Sequence, residues 1–237
     1  MILKLRDGFT LAEVLITLGI IGVVASMTMP TLIAHYKEKV QITAMKKVYS
    51  EISQANQLLN AEYGGNWTNE CDDFDNACFR DMFATKLKVL KTCDKPVEEG
   101  CQAQSTYLDG NDRDELTNSG INDNWSSLIT NSGYSLKFRF HFNGCKPNGV
   151  TGDYKWINYA CGWMQIDTNG LKGPNIMGKD IFYAELYSDG TLRGRSTKYV
   201  LEEEAKTKSQ VAMTQDEIEE NCKNGTGVTC SALYLTK

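Results

Sequence analysis

Residues 9–34 form one apolar stretch, FTLAEVLITLGIIGVVASMTMPTLIA, in which Glu13 is the only ionisable side chain. As a helix, residues 9–34 would extend for ~39 Å at about 1.5 Å per residue. A bilayer core is roughly 30 Å thick, so this length predicts a tilted membrane-spanning helix. Pro30 lies near the far end of the stretch. It would kink or loosen the helix there, because proline offers no backbone N–H.

A cleaved secretory signal peptide fits this stretch poorly. Such a peptide has an apolar region of roughly 7–15 residues with small residues after it, whereas Gly8 precedes the apolar run. On hydrophobicity alone, an uncleaved membrane anchor is the simplest interpretation. Glu13 points to more than an anchor, because a charge at the bilayer centre costs about 2.5–3.5 kcal/mol. A partner cation would explain why a carboxylate stands at this position.

Gly8, followed by FTLAE over residues 9–13, a long apolar run and Pro30, resembles the N-terminus of type IV pilins and type II secretion pseudopilins. The resemblance covers residues 8–32. It implies that a prepilin peptidase removes a leader, residues 1–8, by cutting after Gly8, and then methylates the new N-terminal residue, Phe9. Glu13 would correspond to the family's conserved glutamate, which acts in filament assembly. The apolar segment 9–34 would be both the membrane anchor and the filament-core helix.

The resemblance also implies a location and a set of partners. The chain would cross a bacterial inner membrane once, with its N-terminus in the cytoplasm and its head in the periplasm or outside the cell. Lys4 and Arg6 before the apolar run agree with this orientation, although Lys37 and Lys39 after it weaken the charge asymmetry. The implied partners are the prepilin peptidase, an inner-membrane assembly platform, membrane lipid before assembly, and other pilins or pseudopilins in a filament.

The helix is predicted to continue past the membrane as an amphipathic half, residues 35–63. Residues 36–63 contain no glycine or proline, and apolar side chains recur three and four residues apart, which is typical of one helix face. This stripe consists of Met45, Val48, Ile52, Ala55 and Leu59. Gly64 and Gly65 are placed to end the helix. The simplest interpretation of the stripe is packing against a globular head, residues 64–237.

The sequence of the head predicts an antiparallel sheet. Residues 134–142 alternate between apolar and polar side chains, which predicts a strand buried on one face only. Residues 156–167 are a second candidate strand. Residues 181–187 and 191–195 flank Asp189-Gly190 and predict a hairpin.

Two shorter helices are also predicted in the head. Residues 64–132 are rich in Asn, Asp and Gly and are interpreted as a long irregular connection that contains one helix, residues 79–90. Thr214 and Glu217 have capping-box spacing and would open a helix that ends near Lys223. The fold class is therefore α+β, with a long N-terminal helix packed on an antiparallel sheet, as the resemblance to pilins implies.

The cysteines place the head in an oxidising compartment. All eight lie after residue 64, their number is even, and no two have CxxC spacing, which favours disulfides over a zinc or redox site. Eight cysteines allow on the order of 100 connectivities. A preference for short loops favours pairing in chain order: Cys71 with Cys78, Cys93 with Cys101, Cys145 with Cys161, and Cys222 with Cys230.

One loop in the head has spaced oxygen ligands. Residues 167–175 read DTNGLKGPN and are followed by GKD at residues 178–180, a pattern that resembles a stretch in pseudopilin-like heads. Asp167, Asn169 and Asp180 are candidate ligands for a hard cation, so calcium is the cofactor that this pattern suggests. The ligand set is too small for an EF-hand. The alternative is a turn stabilised by its own Asp and Asn side chains, with no metal.

Composition excludes several classes of function. The chain of 237 residues has a net charge of −5, which argues against a nucleic-acid-binding surface. Its mean hydropathy of −0.37 rules out a polytopic membrane protein. Only two histidines are present, and the motifs of serine hydrolases, zinc proteases and phosphate-binding loops are missing, so an enzyme is not expected.

Two hypotheses remain open at this stage. The first is a structural subunit of a type IV pilus or a secretion pseudopilus. The second is a monomeric, membrane-anchored binding module, such as a minor pilin-like adhesin or a ligand- or DNA-binding head. Glu13 discriminates between them, because a monomeric anchor has no need of it.

Overall fold

The structure is a computed structural model that describes residues 10–111, 125–141, 143–145, 160–187, 189–202 and 207–236. The leader and the predicted cleavage site at Gly8 and Phe9 lie outside these residues. So do Phe142 and residues 156–159, at the ends of two predicted strands. The chain divides into two compact units, Met1–Val40 and Gln41–Lys237.

Helix α1, Leu11–Glu62, contributes to both units and agrees with the predicted helix over residues 9–63. Pro30 lies inside it, and the helix continues on both sides of this residue. The helix ends at the glycine pair, where the Gly65 N–H donates to the Asn60 carbonyl at 2.7 Å. Gly64 and Gly65 both have positive φ, which closes a helix without the steric cost that a side chain would meet.

The predicted apolar stripe of α1 is buried in the second unit. Each of its members is at most 4% exposed: Met45, Val48, Ile52, Ala55 and Leu59. They share one core cluster with side chains of the sheet, including Leu136, Phe138 and Phe182. Burial of each such side chain contributes about 1.5–3 kcal/mol, so this part of α1 is held by packing rather than by helix propensity.

The head is built on a six-stranded antiparallel sheet with the strand order β1-β2-β3-β4-β5-β6, which follows the chain. Its strands are β1 Val89–Cys93, β2 Ser126–Thr130, β3 Ser135–Phe140, β4 Ala160–Asp167, β5 Ile181–Tyr187 and β6 Leu192–Gly194. A separate antiparallel hairpin follows, formed by β7 Thr197–Glu202 and β8 Thr207–Ala212. The α+β class predicted from the sequence is confirmed, and so is the hairpin around Asp189-Gly190.

The described part of the head also contains three shorter α-helices. They are α2 Asn76–Ala84, α3 Gln215–Asn224 and α4 Cys230–Thr236. The predicted capping box is present at the start of α3, between Thr214 and Glu217. Helix α4 lies beside β5 and β6 and was not predicted.

The predicted helix over residues 79–90 is wrong at both ends. It begins at Asn76, because the side chain of Asp75 accepts the backbone N–H of Cys78 and caps the first turn. It ends at Ala84, and residues 89 and 90 belong instead to strand β1, Val89–Cys93, which pairs with β2. The described residues of the connection over residues 64–132 therefore include two strands, β1 and β2. Both strands carry polar side chains on each of their two faces, so their sequences do not alternate regularly between apolar and polar residues.

Strand β3 is buried on both faces, which corrects the prediction of a half-buried strand. Its apolar side chains face the core, as expected, but Ser135, Lys137 and His141 on the other side are at most 4% exposed. A second apolar cluster accounts for this burial. It consists of Trp125, Ala160, Trp163, Met177, Ile181 and Tyr183.

Polar groups fix how α1 meets the sheet. Asn56 is buried within the apolar stripe, where its Nδ2 donates to the Gly190 carbonyl at 2.8 Å. Its Oδ1 accepts from Trp67 Nε1 at 2.9 Å. The Tyr49 hydroxyl donates to the Leu192 carbonyl in the same hairpin. Because these bonds need one orientation, they set the register of α1 against β5 and β6.

Candidate assembly site at the start of the long helix

Thr10 and Glu13 form a capping box at the start of α1. Glu13 Oε2 accepts hydrogen bonds from the Thr10 backbone N–H at 2.9 Å and the Thr10 hydroxyl at 2.8 Å. In return, the Glu13 N–H donates to Thr10 Oγ1 at 3.3 Å. This reciprocal arrangement satisfies backbone donors that the first turn of a helix leaves without partners. The T-x-x-E spacing that is typical of a capping box is present in the sequence. The sequence analysis explained Glu13 by a partner cation alone and missed this second role.

The carboxylate of Glu13 keeps capacity for a further donor. Within the described part of the chain, both of its hydrogen bonds fall on Oε2. A carboxylate has about four acceptor positions, so Oε1 can accept from a cation on another molecule. Phe9, the predicted new N-terminus, lies outside the described residues.

The surface of α1 that follows Glu13 is apolar and exposed. Its large side chains over residues 14–33 are between 40% and 72% exposed, and they include Leu15, Ile20 and Leu32. An apolar surface of this length needs lipid or other apolar helices around it. Helix α1 is long and apolar enough to cross a membrane, which agrees with a single-pass membrane-anchored protein.

The hydroxyl groups in this segment are satisfied within the helix. Thr17 donates to the Glu13 carbonyl at 2.9 Å, and Thr28 donates to the Val24 carbonyl at 3.0 Å. Ser26 and Thr31 make similar bonds to carbonyls one turn back. Because an unsatisfied hydroxyl would be costly in lipid, these bonds make the segment compatible with a bilayer.

Residues 3–29 match the family model described as the prokaryotic N-terminal methylation motif. This is the signature of type IV pilins and pseudopilins, and it includes Gly8, Phe9 and Glu13. The resemblance found in the sequence is therefore confirmed over this segment. No curated protein and no solved structure matches the chain.

The chain carries a pilin-type N-terminus ahead of an α+β head, and the motif supports a type IV pilin-like or pseudopilin protein. In general terms, such a motif implies processing by a prepilin peptidase and assembly into a pilus-type structure.

Four disulfides tie the loops of the head together. They join Cys71 to Cys78, Cys93 to Cys101, Cys145 to Cys161, and Cys222 to Cys230. This is the chain-order pairing that short loops favour. Each bond closes a loop beside a helix end or a strand end, for example between α3 and α4. Loops of this size contribute about 2–3 kcal/mol each by restricting the unfolded chain.

The loop between β4 and β5 is organised by Asp180, which is 1% exposed. Its Oδ1 accepts the Ile176 N–H at 2.6 Å, and its Oδ2 accepts the Asn175 N–H at 2.8 Å. Asn169 Nδ2 donates to the same Oδ2 at 3.2 Å. Asp167 Oδ1 accepts the Asn169 N–H at 3.2 Å. The three predicted ligands thus lie together, joined by hydrogen bonds.

This donor set fits a calcium site poorly. Calcium needs six to eight oxygen ligands, whereas Asn169 presents its amide nitrogen, not its oxygen, to Asp180. Both Asp180 oxygens already accept backbone N–H groups. Among the described residues, no group of three or more His, Cys, Asp or Glu is placed to hold a metal ion. Calcium binding and the turn without a metal both stay predictions.

We expect Asp180→Ala to destabilise the head by about 2–4 kcal/mol, because it leaves two backbone N–H groups without their acceptor. Asp180→Asn should cost less, since its amide oxygen can still accept one of the two bonds. Urea unfolding measures both effects. Millimolar calcium should leave the wild-type midpoint unchanged. A rise that Asp167→Asn abolishes would instead show a calcium site.

Proposed function

We propose that this chain is a structural subunit of a helical filament, either a type IV pilus or a type II secretion pseudopilus. The observation that carries this proposal is the combination of the methylation motif over residues 3–29 with an exposed apolar helix beginning at a glutamate. A membrane anchor would explain the apolar surface but would not explain Glu13. Assembly explains Glu13, which is the fifth residue of the processed chain.

Assembly follows from the charges at the start of α1. Cleavage after Gly8 would free the amine of Phe9, which is a cation at neutral pH. An incoming subunit brings Glu13 with Oε1 open to a donor, and the Phe9 amine of the neighbouring subunit would supply it. Relieving a charge held in lipid is worth several kcal/mol, which would set the register between apolar helices that could otherwise slide.

The disulfides support an extracytoplasmic head. Four bonds of ordinary Cα separation, 4.6–6.2 Å, would be kept oxidised in the periplasm or outside the cell and reduced in the cytoplasm. The head would therefore lie across the inner membrane from the leader. Before assembly, α1 would lie in the lipid.

A non-catalytic role is also part of this proposal. His141 is buried against Trp163, and burial lowers its pKa to about 3, with a smaller contribution from the charge of Arg139. It is neutral at physiological pH and has no exposed position from which to move a proton. The alternative of a monomeric anchored binding module is retained, and it predicts normal function without Glu13.

Mass spectrometry of sheared surface filaments tests the proposal. We expect these filaments to contain the chain without residues 1–8, beginning at Phe9 with one added methyl group. Gly8 has no side chain to obstruct a tight peptidase site, so Gly8→Val should leave the leader attached and reduce incorporation strongly. Wild-type chain with an intact leader, in cells that contain the peptidase, would contradict the proposal.

A further inference from the structure

A groove of about 350 Å³ lies between α1 and the β1 end of the sheet. Its lining includes the apolar side chains of Ala55, Leu58 and Leu87 and the charged side chains of Lys86 and Lys88. Leu58 is 57% exposed, so this apolar surface is accessible from outside the head. An exposed apolar surface with lysines beside it is one that an amphipathic partner could cover.

The lining of this groove includes two lysines, Lys86 and Lys88, and one carboxylate, Glu51. Glu51 Oε2 accepts a hydrogen bond from the Tyr134 hydroxyl at 3.0 Å, and Glu51 Oε1 lies 3.9 Å from Lys47 Nζ. Glu62 pairs with Lys86. Among the described ion pairs, none uses Lys88, which is exposed. The local carboxylates thus have partners of their own, and the ammonium group of Lys88 is open to another molecule.

The opposite charge is concentrated on α3, Gln215–Asn224. Its sequence, QDEIEENCKN, holds four acidic residues and one lysine. Asp216 and Glu220 are one turn apart and exposed, and they border a shallow surface with Met213 and Asn224. Glu217 is partly neutralised by Lys198, but Asp216 and Glu220 present their charges outward together with an apolar methionine.

The two surfaces border different strands of the sheet. The groove borders β1 and the turn between β2 and β3, whereas α3 packs on α4, which lies beside β5 and β6. No residue of α3 lines the groove, and α3 is fixed in the head by its buried side chains Ile218 and Cys222. The groove of one chain therefore does not receive its own α3.

We propose that the groove at Lys86 and Lys88 receives the α3 face of a second copy of this chain, with Lys88 against Asp216 and Glu220 and Leu58 against Met213. Complementary charge selects this occupant, because Lys88 of the groove and the acidic face of α3 are both on the same chain. The inference rests on the proposed filament function and adds a contact between heads to it.

Such a contact has consequences for assembly. Each copy offers one groove and one α3, so every copy joins two neighbours through different surfaces. Heterologous contacts of this kind build open helical arrays rather than closed dimers. The contact would orient the heads around the filament, while the apolar helices pack inside it. It would also weaken at high salt, since both charged sets are exposed.

Zero-length carbodiimide coupling on isolated wild-type filaments tests the contact directly. This reagent joins a lysine to a carboxylate only when the two groups touch. We expect coupled peptides that link Lys88 or Lys86 to Asp216 or Glu220. Because no residue of α3 lines the groove within one chain, such a link is expected to join two copies. Coupling of Lys88 to a different protein would overturn the choice of a second copy.

Charge reversal provides the quantitative test. We expect Lys88→Glu and Glu220→Lys each to lower the chain's yield in sheared filaments about fivefold at unchanged membrane levels. The double variant should recover to within about twofold of wild type, because it restores the opposite charges. Lys172→Glu, an equal charge change at an exposed loop residue, is the matched control and should have no effect.

The outcomes separate this inference from the proposed function. Filaments that contain the wild-type chain but give no link from Lys86 or Lys88 to α3, with both single reversals incorporated normally, would overturn the head contact and leave the filament function standing. If sheared filaments lacked the wild-type chain altogether, both would be overturned.

Discussion

Glu13→Ala is expected to leave cleavage and membrane insertion intact while removing the chain from sheared filaments. The alanine variant makes the helix more apolar, so it inserts at least as well as wild type. It has no carboxylate for the Phe9 amine of a neighbour, so the charge pair that fixes register is lost. We expect incorporation to fall at least about tenfold, which corresponds to roughly 1.4 kcal/mol per subunit.

The controls for Glu13 come from its own capping box. Glu13→Ala also removes the acceptor of the Thr10 N–H, so helix fraying could be mistaken for loss of the charge pair. Thr10→Ala removes the hydroxyl side of the box and keeps the carboxylate, and we expect it to incorporate within about twofold of wild type. Glu13→Asp should be intermediate, because the shorter side chain reaches less far. Normal incorporation of Glu13→Ala at equal membrane levels would remove Glu13 from the assembly mechanism.

Phe79→Ala is expected to destabilise the head by about 3–5 kcal/mol. Phe79 is 0% exposed and lies at the centre of an aromatic cluster. Its ring centroid is 5.4 Å from that of Trp67 and 5.2 Å from that of Phe140. The ring also fits against Gly162 of β4, where an added Cβ would come within 3.0 Å of it. The alanine would leave a cavity that so many fixed neighbours cannot fill.

Urea unfolding of the full chain in detergent, with the disulfides intact, measures this loss. Leu90→Ala is the control for an apolar truncation at a surface position, since Leu90 is 71% exposed. It should cost less than about 1 kcal/mol. Equal effects of the two variants would show that the aromatic cluster does not form the core of the head.

The sequence alone predicted the features that depend on short-range patterns. The apolar run, the glutamate and the glycine before it identified the N-terminal motif, because these few residues are next to one another in the chain. The period of Met45, Val48 and Ile52 predicted the buried face of α1, since a helix face is determined by spacing. The capping box of α3 and the β5–β6 hairpin were predicted for the same reason.

Only the tertiary structure decided features that depend on neighbours distant in the chain. Strands β1 and β2 have polar side chains on both faces and become strands by pairing with each other and with β3. The outer face of β3 is polar, yet it is buried because the cluster around Trp125 and Trp163 covers it. Asn56 lies on the apolar face of α1, where hydrogen bonds with Gly190 and Trp67 satisfy its buried side-chain amide. A local pattern reports what a segment can bury, whereas burial itself depends on which segments fold against it.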